Sequence, residues 1–326
     1  MKPMFHVAGT VLAAALSLAA NAADITLKLN SLHTAEHPVG ISHEFFAERV
    51  GILTNGTVEV EVHTNRALGD AVESVQSIRN GTIAFFTVSS ANLSQVMPQM
   101  DMFSLPFVFK NARHYWWYLT SDRAAAFVKP LEDKGIKVLA FMDSGARSFF
   151  SKDPIRSPAD LKGKKIRVMA SPVAVAMIDA MGGTGVPVAW GELYNALQTG
   201  VVDGAENNPP SIRSMKFYEV TNHFTINEHA RIPDILVMSK KLFDRLSPEQ
   251  QAAIDQAGKE TEAFMRGAWA SSEVSSLQFV KEKMEVIDKV DKQPFIDAVT
   301  PLLKKEGERL GVSAEVDYLL ESGRKF

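Results

Sequence analysis

The fold of this chain is decided near its beginning by residues 24–62, whose sequence is DITLKLNSLHTAEHPVGISHEFFAERVGILTNGTVEVEV. Residues 24–29 alternate polar and apolar side chains, as a half-buried strand does. Apolar residues then recur near helical spacing from Pro38 to Leu53, and Asn55-Gly56 is a typical helix stop. Residues 57–62 alternate again. The stretch therefore predicts a strand, a helix and a second strand.

The same alternation continues toward the C-terminus. A helical pattern over residues 72–78 is followed by an apolar run over 83–88, which extends the unit to β-α-β-α-β. Such alternation favours a mostly parallel sheet with helices on its faces. We expect further strands at 135–142, 166–169 and 235–239, further helices at 174–181 and 192–199, and a long helix from Pro248 to about Met284.

The composition bounds the classes of protein to consider. A length of 326 residues suggests two domains, and 46% hydrophobic with 22% charged residues is ordinary for a globular protein. The net charge is −3 and the basic residues are scattered, which argues against nucleic acid as a partner. The absence of cysteine excludes disulfides, thiolate nucleophiles and cysteine-ligated metals.

Residues 1–22 have the pattern of a signal peptide. Lys2 is followed by an apolar run from Val7 to Ala20, and Ala20-Asn21-Ala22 resembles a cleavage site. The run is shorter than the ~20 residues that a spanning helix needs. We therefore expect a mature chain that begins at Ala23 in the periplasm, with an uncleaved anchor as the alternative.

Motifs for catalysis are largely missing. Residues 182–185, Gly-Gly-Thr-Gly, lack the third glycine of a dinucleotide loop, and neither a phosphate-binding loop nor a Gly-x-Ser-x-Gly elbow occurs. His33 and His37 are four residues apart, but Pro38 favours a loop with two unrelated histidines over a metal site. We predict no enzyme activity, no metal and no cofactor. A site assembled only in three dimensions leaves an enzyme acting on acidic sugars as an alternative.

Two arginines indicate an anionic ligand. Arg147 follows an apolar strand, and Arg167 lies between Ile166 and Val168 in another. Ligands of such sheets collect at the carboxyl ends of strands, and guanidinium groups bind carboxylates bidentately. A structural ion pair is the alternative for each. Residues 203–210 are typical of a capped turn, and Trp190 suits either the core or the wall of a sugar site.

Taken together, the motifs resemble the solute-binding subunits of tripartite ATP-independent periplasmic (TRAP) transporters, in the branch with dicarboxylate- and sialate-binding members. The resemblance covers most of the mature chain and keeps order and spacing. It rests on Leu68-Gly69, Asn80-Gly81-Thr82, Leu105-Pro106-Phe107, Gly145-x-Arg147, Asp160-Leu161-Lys162-Gly163-Lys164-Lys165-Ile166-Arg167-Val168 and Trp190-x-Glu192-x-Tyr194-x-Ala196-Leu197-Gln198-x-Gly200-Val201-Val202-Asp203-Gly204-x-Glu206-Asn207.

This resemblance implies an α/β fold of the type II periplasmic-binding-protein kind, with a ligand cleft between two lobes and a long hinge-spanning helix. The expected lobes are residues 23–144 with about 233–272, and residues 145–232 with about 273–326. The resemblance also implies that Arg167 makes the principal salt bridge to a ligand carboxylate, that Arg147 assists, that Asn207 completes the clamp and that Trp190 lines the pocket.

The ligand expected from the resemblance is a sugar acid. Sialate is disfavoured because Ala71 and Ser89 stand where its receptors carry acidic side chains. Residues 206–211 and 228–234 look more like those of hexuronate-binding members, and Asn208 is expected to belong to the site. His33 and Glu73 are expected to bind sugar hydroxyls, with surface placement as the alternative.

The resulting prediction is a monomeric receptor that delivers a small organic acid, a hexuronate or a related sugar acid, to TRAP membrane subunits. A C4-dicarboxylate or another hydroxy acid is the alternative ligand. A subunit of a membrane sensor is the alternative role.

Overall fold

The computed structural model describes residues 24–326, so the predicted signal peptide lies outside the described residues. The strands are β1 (Ile25–Asn30), β2 (Val58–His63), β3 (Phe85–Ser89), β4 (Ile136–Met142), β5 (Arg147–Ser151), β6 (Lys165–Val168), β7 (Thr184–Pro187), β8 (Gly204–Asn207), β9 (His223–Ala230), β10 (Asp234–Ser239) and β11 (Glu285–Ile287). The helices are α1 (Pro38–Leu53), α2 (Ala71–Asn80), α3 (Ser90–Leu93), α4 (Ala112–Leu119), α5 (Asp122–Val128), α6 (Pro172–Ala180), α7 (Leu193–Thr199), α8 (Pro209–Ser214), α9 (Lys240–Phe243), α10 (Pro248–Lys283), α11 (Gln293–Leu310) and α12 (Ser313–Ser322).

The strands form two sheets, and each is mostly parallel, as the alternation of strands and helices predicts. The first has the order β2-β1-β3-β10-β4 and the second the order β11-β9-β5-β8-β6-β7. Each sheet has one reversed strand, β10 in the first and β5 in the second. We call the parts built on the two sheets the first lobe and the second lobe.

The chain crosses between the lobes next to these reversed strands. It leaves the first lobe between β4 and β5, through residues 143–146, and returns between β9 and β10, through residues 231–233. The long helix α10 contacts α1 and β4 of the first lobe and α8 of the second. The predicted two-lobed fold with a long hinge-spanning helix is confirmed.

Amphipathic patterning explains how the first lobe is covered. Val39, Phe46 and Val50 of α1 are buried against the first sheet together with Met265 and Trp269 of α10. Burying such side chains stabilises each by roughly 1.5–3 kcal/mol relative to exposure. The helices α1 and α10 therefore lie side by side on one face of this sheet.

The strands fall within the residue ranges expected for the two lobes, but the helices divide less cleanly. The C-terminal helix α12 packs on the segment containing α4 and α5, because the hydroxyl of Tyr118 donates to Glu315 at 2.7 Å and Arg123 pairs with the same carboxylate at 2.7 Å. The division into lobes at those residues therefore stays a prediction.

The turn predicted at residues 203–210 is wrong in its first half. Residues 204–207 form β8, which lies between β5 and β6 in the middle of the second sheet. Arg147 follows the apolar strand β4, as predicted, and is itself the first residue of a further strand, β5. Glu206 and Asn207 are buried polar residues whose side chains both accept hydrogen bonds from Arg147 on β5. Residues typical of a turn therefore form a central strand here.

Across residues 24–326, every helix is too short or too polar to span a lipid bilayer.

Candidate functional site

A cavity of about 350 Å³ lies between the lobes, beside both crossing segments. This volume is within the range of small-molecule sites. Both lobes contribute polar side chains to its wall. The first lobe contributes His33, His37, Asp70, Glu73, Thr87, Ser89, Asn92, Ser144 and Asp234, and the second contributes Arg147, Arg167, Trp190, Asn207 and Ser211. Six of the seven predicted site residues therefore meet at one cavity.

Arg167 supplies a buried positive charge with few partners. It lies near the carboxyl end of β6 and is 3% exposed. Its Nε donates to the carbonyl of Val188 at 2.8 Å, whereas Nη1 has no hydrogen-bond partner among the described residues. The guanidinium lies 5.7 Å from the ring centre of Trp190.

Burial, with a smaller contribution from the charge of Arg147, lowers the pKa of Arg167 to about 10, although Glu206 and Asp70 oppose the shift. The group is still cationic at neutral pH. A buried cation with unused N–H donors is suited to an anion that enters the cavity.

Arg147 is by contrast almost fully engaged. Its Nε and Nη2 bond to the carboxylate of Glu206, Nη2 also donates to the Glu206 carbonyl at 2.8 Å, and Nη1 donates to Oδ1 of Asn207 at 3.2 Å. These bonds use four of the five N–H donors of a guanidinium.

Glu206 neutralises this arginine. Burial would raise the pKa of Glu206, but the charge and hydrogen bonds of Arg147, together with the His229 ring whose Nε2 lies 3.5 Å from the carboxylate, outweigh it and hold the pKa at about 2. The pair therefore has no net charge at neutral pH, and Arg147 can offer a ligand one N–H donor.

The two neighbouring asparagines have different roles. Oδ1 of Asn207 accepts bonds from Arg147 and from the backbone N–H of Asn208 at 2.9 Å, which leaves its NH₂ group toward the cavity without an acceptor among the described residues. Asn208 does not line the cavity. Its side chain donates to the Ser144 carbonyl at 3.0 Å and caps α8 through the N–H of Ser211 at 2.9 Å. Asn208 thus ties a crossing segment to the second lobe.

His33 and His37 form a stacked pair on the cavity wall. Their ring centres are 3.9 Å apart, and His33 lies 5.7 Å from the ring of Trp190. The prediction that these two histidines are unrelated is wrong, because their rings stack on each other. His37, which also lines the cavity, was not among the predicted site residues. Among residues 24–326 the pair belongs to no cluster of three or more metal-ligating side chains.

Both histidines are neutral at pH 7. Burial, aided by the charge of Arg66, lowers the pKa of His33 to about 4, and burial lowers that of His37 well below its ordinary value, helped by His33 and His43. His33 Nδ1 and His37 Nε2 have no partner among the described residues. Neutral imidazoles can donate to and accept from hydroxyl groups.

Three carboxylates complete the wall. Glu73 is exposed at the rim, and its carboxylate accepts from the N–H of Asp70 at 3.0 Å. The side chain of Asp70 caps α2 and also accepts from the N–H of Gly191 in the second lobe at 3.0 Å. Asp234 is half-buried at the start of β10. Neither Asp70 nor Asp234 was among the predicted site residues. Asp234 does end the run 228–234 that resembles hexuronate-binding members, and that run was the signal that could have found it.

Comparison with known proteins agrees with this architecture. The family model of bacterial extracellular solute-binding proteins, family 7 (DctP), matches residues 29–309. A TRAP periplasmic solute-binding protein from Sulfitobacter sp. NAS-14.1, solved with bound β-D-galacturonate, has 36% identity and a TM-score of 0.86, covering 92% of this chain and 100% of that one.

Two further comparisons bear on the ligand. A TRAP solute-binding protein from Roseobacter denitrificans, solved with bound β-D-glucuronate, has 30% identity and a TM-score of 0.87, covering 90% of this chain and 98% of that one. The C4-dicarboxylate-binding periplasmic protein of Rhodobacter capsulatus is 29% identical over 310 residues, 94% of this chain and 93% of that one.

Proposed function

This chain belongs to the DctP family of bacterial extracellular solute-binding proteins, and we propose that it captures a hexuronate in the periplasm for the membrane subunits of a TRAP transporter. The observation that carries the proposal is one uncompensated guanidinium, that of Arg167, in a cavity whose other groups suit hydroxyls. In this proposal the protein binds its ligand without transforming it.

The proposed ligand places its carboxylate on Arg167. The remaining N–H of Arg147 and the amide of Asn207 lie on the same wall and complete the contact. A desolvated carboxylate needs such charge-assisted bonds to replace its water. The face of the sugar ring rests near Trp190, and its hydroxyls bond to His33, His37 and Glu73, which line the first-lobe side.

The solved relatives from Sulfitobacter and Roseobacter support a hexuronate, since each holds one and has at least 30% identity to this chain. The Rhodobacter relative motivates a second candidate, a C4-dicarboxylate. A dianion is less suited to this cavity, because Glu206 already neutralises Arg147 and leaves Arg167 as the one unpaired cation among the described lining residues.

The test is calorimetric titration of D-galacturonate, D-glucuronate and succinate into the wild type and Arg167→Ala. Removing one partner of a buried charge pair costs about 2–5 kcal/mol, so hexuronate affinity should fall roughly 30-fold to several-thousand-fold. Arg156→Ala is the matched control, since that side chain is 58% exposed and lies in the same lobe. It should leave the affinity unchanged.

Unchanged hexuronate binding by a folded Arg167→Ala protein contradicts the assignment of this arginine. Binding of succinate but of neither hexuronate by the wild type selects the second candidate. Recovery of a chemically altered uronate after incubation would instead make the protein an enzyme.

A further inference from the structure

Asp234 presents a carboxylate to the cavity from the first lobe. It is the first residue of β10, directly after the crossing segment 231–233, and its register partners are Ser89 on β3 and Met142 on β4. Its side chain lines the cavity together with Ser89 and Ser144. Within residues 24–326, no backbone N–H donates to it and no cation lies within 4.0 Å of its oxygens.

The other acids at the site have such partners. Asp70 accepts from two backbone N–H groups, those of Ala71 and Gly191, and Glu73 accepts from the N–H of Asp70. Glu206, behind the wall, is paired with Arg147. Of the three lining carboxylates in the described part of the chain, Asp234 is therefore the one that accepts no backbone N–H bond.

The pKa of Asp234 agrees with this position. Burial, with a smaller contribution from Asp143, raises this pKa to about 7 against the opposing effects of the Arg147 charge and the Ser144 hydroxyl. Above this pH the cavity contains a carboxylate that a ligand hydroxyl could satisfy and that a ligand carboxylate would repel.

Among the described residues that line the cavity, one cation is free to bind a carboxylate; Arg66, whose charge acts on His33, lies outside the lining. Arg147 is neutralised by Glu206, the histidines are neutral and Arg167 is the remaining cation among the lining residues described. A second carboxylate on the ligand would have to lie among groups that include Asp70, Glu73 or Asp234. Of these, Asp70 and Glu73 are held by helix α2.

We propose that Asp234 determines specificity by accepting a hydrogen bond from a hydroxyl of a monocarboxylic sugar acid and by repelling the second carboxylate of a diacid. This inference rests on the proposed function and deepens it, because it names the acids that the receptor rejects. Sugar diacids, which share the hydroxyls and one carboxylate of the proposed ligand, are the class excluded.

The experiment compares two open-chain acids that differ only at one end. D-Galactonate has a terminal hydroxymethyl group where galactarate has a second carboxylate. Affinities are measured by displacement of D-galacturonate at about pH 8, where Asp234 is ionised. The wild type should bind galactonate at least about 30-fold more tightly than galactarate, as expected for like charges in a partly desolvated site.

In Asp234→Asn, which keeps the shape of the side chain and removes its charge, this preference should shrink at least about tenfold. Asp234→Ser gives a second test with a smaller neutral group, and thermal melting checks that both variants fold. Asp133→Asn is the matched control, since it removes one charge from an exposed position outside the cavity. It should keep the preference of the wild type.

The outcomes separate the two proposals. In one outcome the wild type binds galacturonate, and both Asp234 variants prefer galactonate over galactarate as strongly as the wild type does. This outcome overturns the role of Asp234 and leaves the receptor function intact. The same holds if galactarate displaces galacturonate from the wild type as well as galactonate does, or if neither open-chain acid displaces it from any variant. Wild-type protein that binds no hexuronate overturns the proposed function, and this inference with it.

Discussion

Glu206 and Arg147 form an ion pair whose side chains are 2% and 5% exposed. Two such charges are costly to bury, and each becomes acceptable only because the other and its hydrogen bonds replace water. The pair connects β8 with β5 in the second sheet and sets the direction of the remaining Arg147 donor. Glu206, which does not line the cavity, thus determines how many N–H donors of Arg147 remain for a ligand.

Replacing Glu206 by Gln should therefore destabilise the protein by about 3 kcal/mol or more at pH 7, since it leaves Arg147 buried without a counter-charge. Urea unfolding measures the difference. Glu285→Gln is the control, because its pair with Arg156 at 3.4 Å is exposed on both sides and should contribute less than about 1 kcal/mol.

The destabilisation by Glu206→Gln should also depend on pH. The pKa of Glu206 is depressed from 4.5 to about 2, so its contribution to stability is present above pH 4.5 and is lost as the pH falls toward 2. Wild type and variant should accordingly approach each other in acid. A difference that stays constant down to pH 2 would show that the loss is one of packing and not of charge.

Helix α10 begins at local sequence signals but contains glycines that helix propensity disfavours. Ser247 caps it, with Gln250 completing a capping box, and Pro248 occupies its first turn. These start signals are local, so the sequence predicts where the helix begins. Two glycines lie inside it, where glycine is unfavourable by about 1 kcal/mol relative to alanine.

The two glycines should respond oppositely to alanine. A Cβ at Gly258 would lie 2.9 Å from the carbonyl oxygen of Leu139 on β4, whereas nothing lies within 4 Å of one at Gly267. Gly258→Ala should therefore destabilise the protein by about 1 kcal/mol or more, despite the better helix propensity. Gly267→Ala should stabilise it by up to about 1 kcal/mol.

The denaturation midpoints of the two variants provide the measurement, and each is the control for the other. If Gly258→Ala were as stable as Gly267→Ala, α10 could not pack as closely on β4 as described.

At the scale of the whole molecule, the lobes meet across the cavity mouth. The N–H of Gly191 in the second lobe donates to Oδ2 of Asp70 in the first, and the amide of Gln95 reaches the carbonyl of Ala170 at 3.4 Å. Asp101, in the residue range expected for the first lobe, also accepts from the hydroxyl of Ser171 and the N–H of Val173 in the range of the second. Hinge motion that separates the lobes at the cavity mouth would break the bonds of Asp70 and Gln95.

Asp70→Ser should weaken closure without unfolding α2. Serine is about as good a helix cap as aspartate, but its shorter neutral side chain loses the charge-assisted bond to Gly191. Ligand-free protein should show a larger radius of gyration in solution scattering, and hexuronate affinity should fall roughly 5- to 30-fold, about 1–2 kcal/mol. Urea unfolding should change by less than about 0.5 kcal/mol.

A radius of gyration equal to that of the wild type, with and without ligand, would mean that the Asp70–Gly191 bond does not control closure.

The alternation of strands and helices, the mostly parallel pairing of the strands and the place of Arg167 within a strand could all be predicted from the sequence alone. These features depend on the period of apolar residues and on capping signals, which are local properties of the chain. The spacing of motifs over most of the chain also predicted the family, and with it a cleft lined by Arg147, Trp190 and Asn207.

Only the tertiary structure decided how charge is distributed in the cleft. Whether Arg147 is free depends on Glu206, 59 positions away, and whether Asp234 faces the cavity depends on the pairing of β10 with β3 and β4. The tertiary structure also shows that Asn208 caps helix α8 and that residues 204–207 form a central strand. Side chains brought together from distant strands determine which charges are neutralised, and no periodicity along the chain carries that information.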